Sequence, residues 1–187
     1  MKRLIVLYGC ILLFGGCQEL SRSKSGVDVT IEGDGQFPQA IAGRWKSNED
    51  GWEFVFEPDG TISSAVIDSG FISVEPAKRT AKKPMKVGKA IYKLGQWTVQ
   101  YTPASRELGV VVVVDFFHVD IGETWLEGNS TDWIVGTVSE DYQTWRAEWV
   151  SAPKYIAFTP EPGELPVDPN DTLKELVFIK VDSESDL

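Results

Sequence analysis

The chain reads as an all-β protein, a single domain in which antiparallel strands follow one another as a meander and form either a barrel or a sandwich. Three observations lead there. Apolar and polar residues alternate with period two in segment after segment, while no stretch beyond the first sixteen residues repeats with helical period. Turn residues, above all Gly, Pro, Asp and Asn, separate those segments at short intervals. The connections are too short to hold crossover helices, so neighbouring strands run antiparallel.

The N-terminus is a separate matter. Met1, Lys2 and Arg3 place positive charge ahead of an apolar run from Leu4 to Phe14, which ends at Gly15 and Gly16. This is the layout of a secretory signal. As a helix those eleven residues span only about 16 Å, short of the roughly 30 Å of a bilayer core, so the segment predicts a signal helix over 1–16 rather than a permanent transmembrane span.

Cys17 follows directly. The stretch Leu13-Phe14-Gly15-Gly16-Cys17 resembles the lipobox of bacterial lipoproteins, although that family prefers leucine where this chain has Phe14. The resemblance implies cleavage before Cys17, a diacylglycerol thioether on its sulfur, and attachment to a membrane by acyl chains, which as a multiple anchor exceeds the two signals stable anchoring requires. Gln18 after the cysteine, by the same resemblance, implies the outer membrane of a bacterial cell envelope. Cys10 is lost with the signal, which leaves no intramolecular disulfide to form.

Cleavage removes Lys2 and Arg3 and leaves 16 basic against 28 acidic residues, a balance of −12. Such a surface repels nucleic acid, and none is expected as a partner. Residues 17–36, Cys17 followed by QELSRSKSGVDVTIEGDGQ, are rich in Ser, Gly and charge and read as a lipidated cysteine followed by a flexible tether. The domain is expected over 37–181, and 182–187 as an acidic tail.

Within the domain the elements follow in order. IAGRWKS opens it, and GWEFVFEPDGTISSAVI is a hairpin, with Trp52, Phe54 and Phe56 on one face and Pro58-Asp59-Gly60 at the turn. Between Glu75 and Glu107 no acidic residue occurs, while eight basic ones do, including Lys78, Arg79, Lys82, Lys83 and Lys86. With Pro76, Pro84 and Gly88 this run reads as a loop or long hairpin connection that offsets an acidic body; its functional alternative is a site for anionic headgroups or an acidic polymer. KAIYK and GQWTVQYT are strands, the latter with Trp97, Val99 and Tyr101 on one face.

ELGVVVVVDFFHVD differs, because Val110 to Val114 present apolar groups to both faces; such a strand is covered on both sides, or bends so that its halves serve different packing layers. Trp125 and Trp133 flank EGNSTD, a turn-rich stretch that reads as a loop at a rim where a partner is met. TDWIVGTVS, DYQTWRAEWV with Trp145, Ala147 and Trp149 on one face, KYIAF and LKELVFIKV complete eight to ten strands.

FPQAIAGRWKS carries a second resemblance. Gly43-Arg44-Trp45 after a short helical-turn segment is similar to the opening of lipocalins and related calycin barrels. That implies a lipocalin-like barrel of about eight strands, with Trp45 plugging one end and Arg146 or Lys180 covering it. A barrel of that size is filled by side chains or holds one small ligand. Trp45, Trp52, Trp97, Trp145 and Trp149 are then candidates for an aromatic wall around a small apolar or amphipathic ligand, or for simple core packing.

Catalysis finds little support. His118 is the single histidine; strand spacing puts Asp120 on its face and Asp115 on the other. No second histidine or ligand cysteine completes a zinc site and no G-x-S-x-G occurs, so no metal, cofactor or catalytic residue is expected. Two readings result. One is a membrane-anchored, non-catalytic binding protein for a small apolar ligand; the other is an envelope interaction module with a filled core that meets a protein or an acidic polymer.

Overall fold

Period-two alternation is converted into strands almost throughout, and a computed structural model describes residues 26–33, 35–67, 72–85, 88–121, 123–159 and 173–181. The signal segment, Cys17 and Lys86 lie outside the described residues, as does the acidic tail. The strands are β1 (Val27–Ile31), β2 (Gly43–Ser47), β3 (Glu53–Phe56), β4 (Ile62–Ile67), β5 (Ile72–Val74), β6 (Arg79–Met85), β7 (Gly88–Leu94), β8 (Trp97–Thr102), β9 (Glu107–Ile121), β10 (Thr124–Val138), β11 (Thr144–Ser151), β12 (Lys154–Thr159) and β13 (Leu173–Val181). They form one open sheet in the order β1-β8-β9-β10-β11-β13-β2-β3-β4-β5. Off that path β12 pairs with β10, and β6 pairs with β7, which pairs with β9.

The alternation places the core. Trp52, Phe54 and Phe56 of the first hairpin are all buried, as are Trp97, Val99 and Tyr101 of β8 and Trp145 and Ala147 of β11. At the β3–β4 turn, Asp59 Oδ1 accepts from the Thr61 backbone N–H at 2.9 Å and from its hydroxyl at 2.6 Å, while Gly60 takes φ of +86°. Those two hydrogen bonds hold the Asp59 carboxyl below its ordinary range.

The valine run is covered more fully on one face than on the other: Val110 and Val112 are fully buried, Val111 and Val113 half-buried, and β9 changes neighbours along its length. Its first half pairs with β8, through Thr98 opposite Val111 to Thr102 opposite Glu107. Its second half pairs with β7, through Leu94 opposite Val114 to Ala90 opposite Val119. Its partner β10 is divided likewise, meeting β11 over Asp132 to Val138 and β12 over Trp125 to Asn129. The long β9–β10 hairpin therefore has a proximal half in the main sheet and a distal half flanked by β7 and β12.

Four expectations are corrected. The described residues already hold thirteen strands, not eight to ten. Residues 27–31, assigned to the tether on composition, form β1, which pairs parallel with β8 and fully buries Val27, so the meander is not purely antiparallel. The polar letters of VDVTI obscured an alternation of Val27, Val29 and Ile31. The basic run, read as a loop or long hairpin connection, is itself two paired strands, the β6–β7 hairpin, whose outer strand is an edge that tolerates lysines and Pro84. EGNSTD is not a loop either: β10 runs through it with a bulge between Gly128 and Ser130. Turn-forming letters there serve packing, since a Cβ on Gly128 would lie 2.8 Å from Phe117 Cζ and overlap the Lys154 carbonyl.

Candidate functional site

Of the five tryptophans singled out by the sequence, four are buried, Trp45, Trp52, Trp97 and Trp145, and Trp149 is half-buried. Trp45 sits on β2, entered from a turn in which the Ile41 N–H donates to the Pro38 carbonyl at 2.9 Å. Its indole N–H donates to the Ile41 carbonyl at 2.7 Å. Lys180 of β13 stands opposite Trp45, and its ammonium donates to the Ala40 carbonyl at 2.6 Å. Between the two expected covers, Lys180 is the neighbour of Trp45, while Arg146 lies exposed on the other face of β11. Gly43 takes φ of +118°, and a Cβ there would meet the Lys180 stem at 3.2 Å, so glycine gives the lysine its path over the strand.

Trp145 is fully buried, with its ring stacked on Phe178 at 4.5 Å and with Phe54 and Phe56 at 6.2 and 6.4 Å. Its Nε1 is the one buried side-chain nitrogen or oxygen without a hydrogen-bond partner among the described residues. Trp97, also fully buried, donates to the Val113 carbonyl at 3.1 Å. Trp45, Trp97 and Trp145 all belong to the buried hydrophobic cluster that also contains Phe54, Phe56 and Phe178.

Trp52 and Trp149 meet edge to face at 5.5 Å, and Trp149 is half-buried. Lys174 lies over the Trp149 ring at 5.5 Å while ion-paired with Asp50 at 2.9 Å. Trp149 Nε1 donates to Asp132 Oδ1 at 3.0 Å, and Ser130 donates to Oδ2 at 3.1 Å. Asp132 is a buried carboxylate that the sequence reading missed, although TDWIV puts it two residues from Ile134 and hence on the inward face. Burial pushes its carboxyl up, against the lowering effect of hydrogen bonds from Ser151, Trp149 and Ser130.

The sign of that shift gives a prediction. The unfolded chain releases the Asp132 proton first, so this group's contribution to stability falls as pH rises from about 3.9 through the higher folded value. Asp132→Asn keeps an acceptor for Trp149 and removes the buried charge. Urea unfolding is expected to show an equal or higher midpoint at pH 7 and the loss of this component of the pH dependence; Asp132→Ala, which orphans the indole N–H, is expected to lose about 1–3 kcal/mol.

His118 lies on the outer side of the distal hairpin. Its Nδ1 is 2.9 Å from Glu127 Oε1 and its Nε2 3.0 Å from Asp120 Oδ1, and its ring stacks on Trp125 at 5.8 Å with 19° between the planes. The two carboxylates approach opposite edges of the ring, so the three cannot converge on one ion. Among the described residues no three His, Cys, Asp or Glu stand where they could hold a metal.

The basic residues do not gather into one site among the described side chains. Lys78 is ion-paired with Glu75, Lys93 lies 3.7 Å from Asp115, and Arg79, Lys82 and Lys83 are on β6 with side chains outside the described ones.

A different feature emerges on the outer face. Val111, Trp133, Val150 and Leu173 stand directly opposite one another across β9, β10, β11 and β13 and form a continuous apolar row. Trp133 is 39% and Leu173 59% exposed, and Val135, 40% exposed, adjoins the row. Beside it Glu148 and Glu175 face each other across β11 and β13, an opposition of like charges that the fold alone does not favour. With Glu107, Val135, Arg146 and Val177 they line an open trough of about 390 Å³. Sequence reading had Trp133 at a rim; what it missed is the register that aligns four strands' apolar residues.

Compared with protein-family models, curated proteins and solved structures, the chain matches none.

Proposed function

We propose that this chain is an exported, lipid-anchored interaction module whose outer sheet face, centred on Trp133, takes a protein partner, and that its sheet curls into a lipocalin-like barrel with a filled interior. The single observation that supports the partner is the outer-face row Val111–Trp133–Val150–Leu173, in which Trp133, Val150 and Leu173 are exposed and Val111 is half-buried. Aligned apolar side chains on a solvent face are disfavoured in a protein that meets only water, and a tryptophan at the centre of the patch is the usual energetic anchor of a protein interface. The adjoining Glu148, Glu175 and Glu107 repel an acidic polymer and suit a partner that brings an apolar anchor beside a basic side chain. Barrel curvature is supported by the two ends of the sheet path. A Cβ on Gly26, at the start of β1, would lie 2.9 Å from the Pro76 carbonyl carbon just beyond β5, and one on Gly60 2.9 Å from Val29 Cγ1. The anchor at Cys17 and an outer-membrane address follow from the lipobox resemblance and Gln18.

Photo-crosslinking from position 133 of the full chain in its own cells tests the face, with the exposed Ser63 of β4 as control. A discrete adduct from 133, absent from 63 and lost when Leu173→Asp is added, is the expected result. Equal labelling from both positions, or none from 133, overturns the proposal.

One observation favours the small-ligand reading instead. The unpaired Trp145 N–H is a buried donor that the acceptor group of an amphipathic ligand would satisfy. Native mass spectrometry of the gently purified full chain decides: an added mass lost on denaturation establishes a carrier.

A further inference from the structure

We propose that His118, Glu127 and Asp120 form a pH-dependent clamp that holds the distal half of the β9–β10 hairpin closed in mild acid and releases it as the medium turns alkaline. The argument starts from the hydrogen inventory of the ring. A neutral imidazole has one N–H and one lone pair, so it can donate to only one carboxylate. Both ring nitrogens here have a carboxylate oxygen within 3.0 Å. Only the imidazolium satisfies both contacts; after deprotonation one carboxylate faces a lone pair.

The clamp spans the two strands that must stay together. His118 on β9 stands opposite Glu127 on β10, and Asp120 opposite Trp125, so two adjacent cross-strand pairs contain all four residues. Trp125 stacked on the ring adds an attraction that is stronger for the cation. On β7 the residue opposite His118 is uncharged Ile91, and Lys93 lies two positions further, beside Asp115. On β12 Ala157 stands opposite Glu127 and Lys154 opposite Asn129. The carboxylates of Glu127 and Asp120 are thus the charges in contact with the ring among the described side chains. The hydrogen bond to Glu127, with Asp120 assisting, raises His118 above its ordinary value against a lowering by burial.

What the clamp controls is set by the sheet's irregularities. Register shifts fall between Gly128 and Ser130 on β10 against β9, between Glu127 and Gly128 against β12, and between Lys93 and Leu94 on β7. All three lie at the level where the distal half leaves the main sheet, and they interrupt its ladder there. Beyond that line the inward side packs through a small cluster, with Phe117 between Tyr92 at 6.3 Å and Tyr155 at 6.1 Å. A segment joined through bulges to a larger core opens as its own unit.

Because the folded value is raised, the stabilisation is fully present below about pH 6.5 and is lost as pH rises through the folded value. His118 is the only histidine, so its Cε1 proton resonance in the full chain needs no assignment by mutation. It is expected to titrate above 6.5. Hydrogen exchange, corrected for intrinsic rates, is expected to show protection at 114–129 falling between pH 6 and pH 9 by roughly tenfold per unit by which that titration exceeds 6.5, with 108–112 unchanged. In His118→Gln the distal protection becomes independent of pH; in Glu127→Gln the titration moves down and the change in protection shrinks. Titration at or below 6.5 in the native chain, or distal protection that does not change with pH, overturns the proposal. Both readings come from the native chain, so they stand even where a variant fails to fold.

Discussion

Replacing Trp45 or Trp145 by alanine is expected to cost the fold about 3–5 kcal/mol in each case, whereas their phenylalanine variants should differ sharply from one another. Both tryptophans are fully buried and both alanine variants leave a cavity in the buried hydrophobic core. The indole nitrogens have opposite fates. Trp45 Nε1 donates to the Ile41 carbonyl at 2.7 Å, so Trp45→Phe leaves that acceptor without its donor and disturbs the turn that Lys180 also ties through Ala40. Trp145 Nε1 has no partner, so Trp145→Phe removes a desolvated donor along with part of a ring. Trp45→Phe should therefore be the costlier by about 1–2 kcal/mol, measured as ΔG from urea unfolding with unchanged slope. Should a ligand occupy the interior and accept from Trp145, the order reverses for the loaded protein alone, which makes the same pair of variants a check on the carrier reading.

The strands that built this core were legible because one face of each is buried, and burial on one face imposes period two on the letters. Trp52, Phe54 and Phe56 announced β3 for that reason, and Val110 to Val114 announced a strand, although the face carrying Val111 and Val113 is only half-covered. What was hidden depended on partners far away in the chain. VDVTI is short and polar in its surroundings, and only the parallel ladder with β8 makes it a strand. The basic run forms β6 because β7 offers it an edge, a relation that no local period expresses. EGNSTD misled because glycine and asparagine signal turns when nothing is known of packing, whereas here they admit the Lys154 carbonyl and Phe117 and supply a bulge. The candidate sites follow the same division. His118 and Asp120 could be placed on one face by counting, but Glu127 joins them only through the β9–β10 register. Likewise each of Val111, Trp133, Val150 and Leu173 looks ordinary in its own strand, and the row exists only once three registers are fixed.

Gly136→Ala is the second substitution with a large expected effect, and Gly109→Ala is its control. Both glycines lie in the proximal hairpin, one on β10 and one on β9, and both look like simple losses of strand propensity. Their surroundings differ. A Cβ on Gly136 would overlap the Arg146 carbonyl oxygen and the Ala147 Cα, and would lie 2.6 Å from the Arg146 carbonyl carbon. Those are backbone atoms of β11, which cannot turn away as the end of a flexible side chain can. The methyl group must push β11 off β10 where Gly136 faces Ala147, straining the pairs on either side, Val135 with Glu148 and Thr137 with Arg146. An overpacking cost of about 3 kcal/mol or somewhat more is expected, together with loss of amide protection along 144–151. At Gly109 the nearest atom to a Cβ is Val135 Cγ2 at 3.6 Å, an ordinary contact, so alanine there should be neutral or stabilise by about 0.5–1 kcal/mol through the lower entropy of the unfolded chain. Unfolding midpoints that move together for the two variants would mean that propensity rather than close approach governs both sites. Widely separated midpoints place the constraint at the β10–β11 contact, where Val135 and Trp133 of the outer row are also positioned; Gly136→Ala should then weaken crosslinking from position 133, while Gly109→Ala leaves it intact.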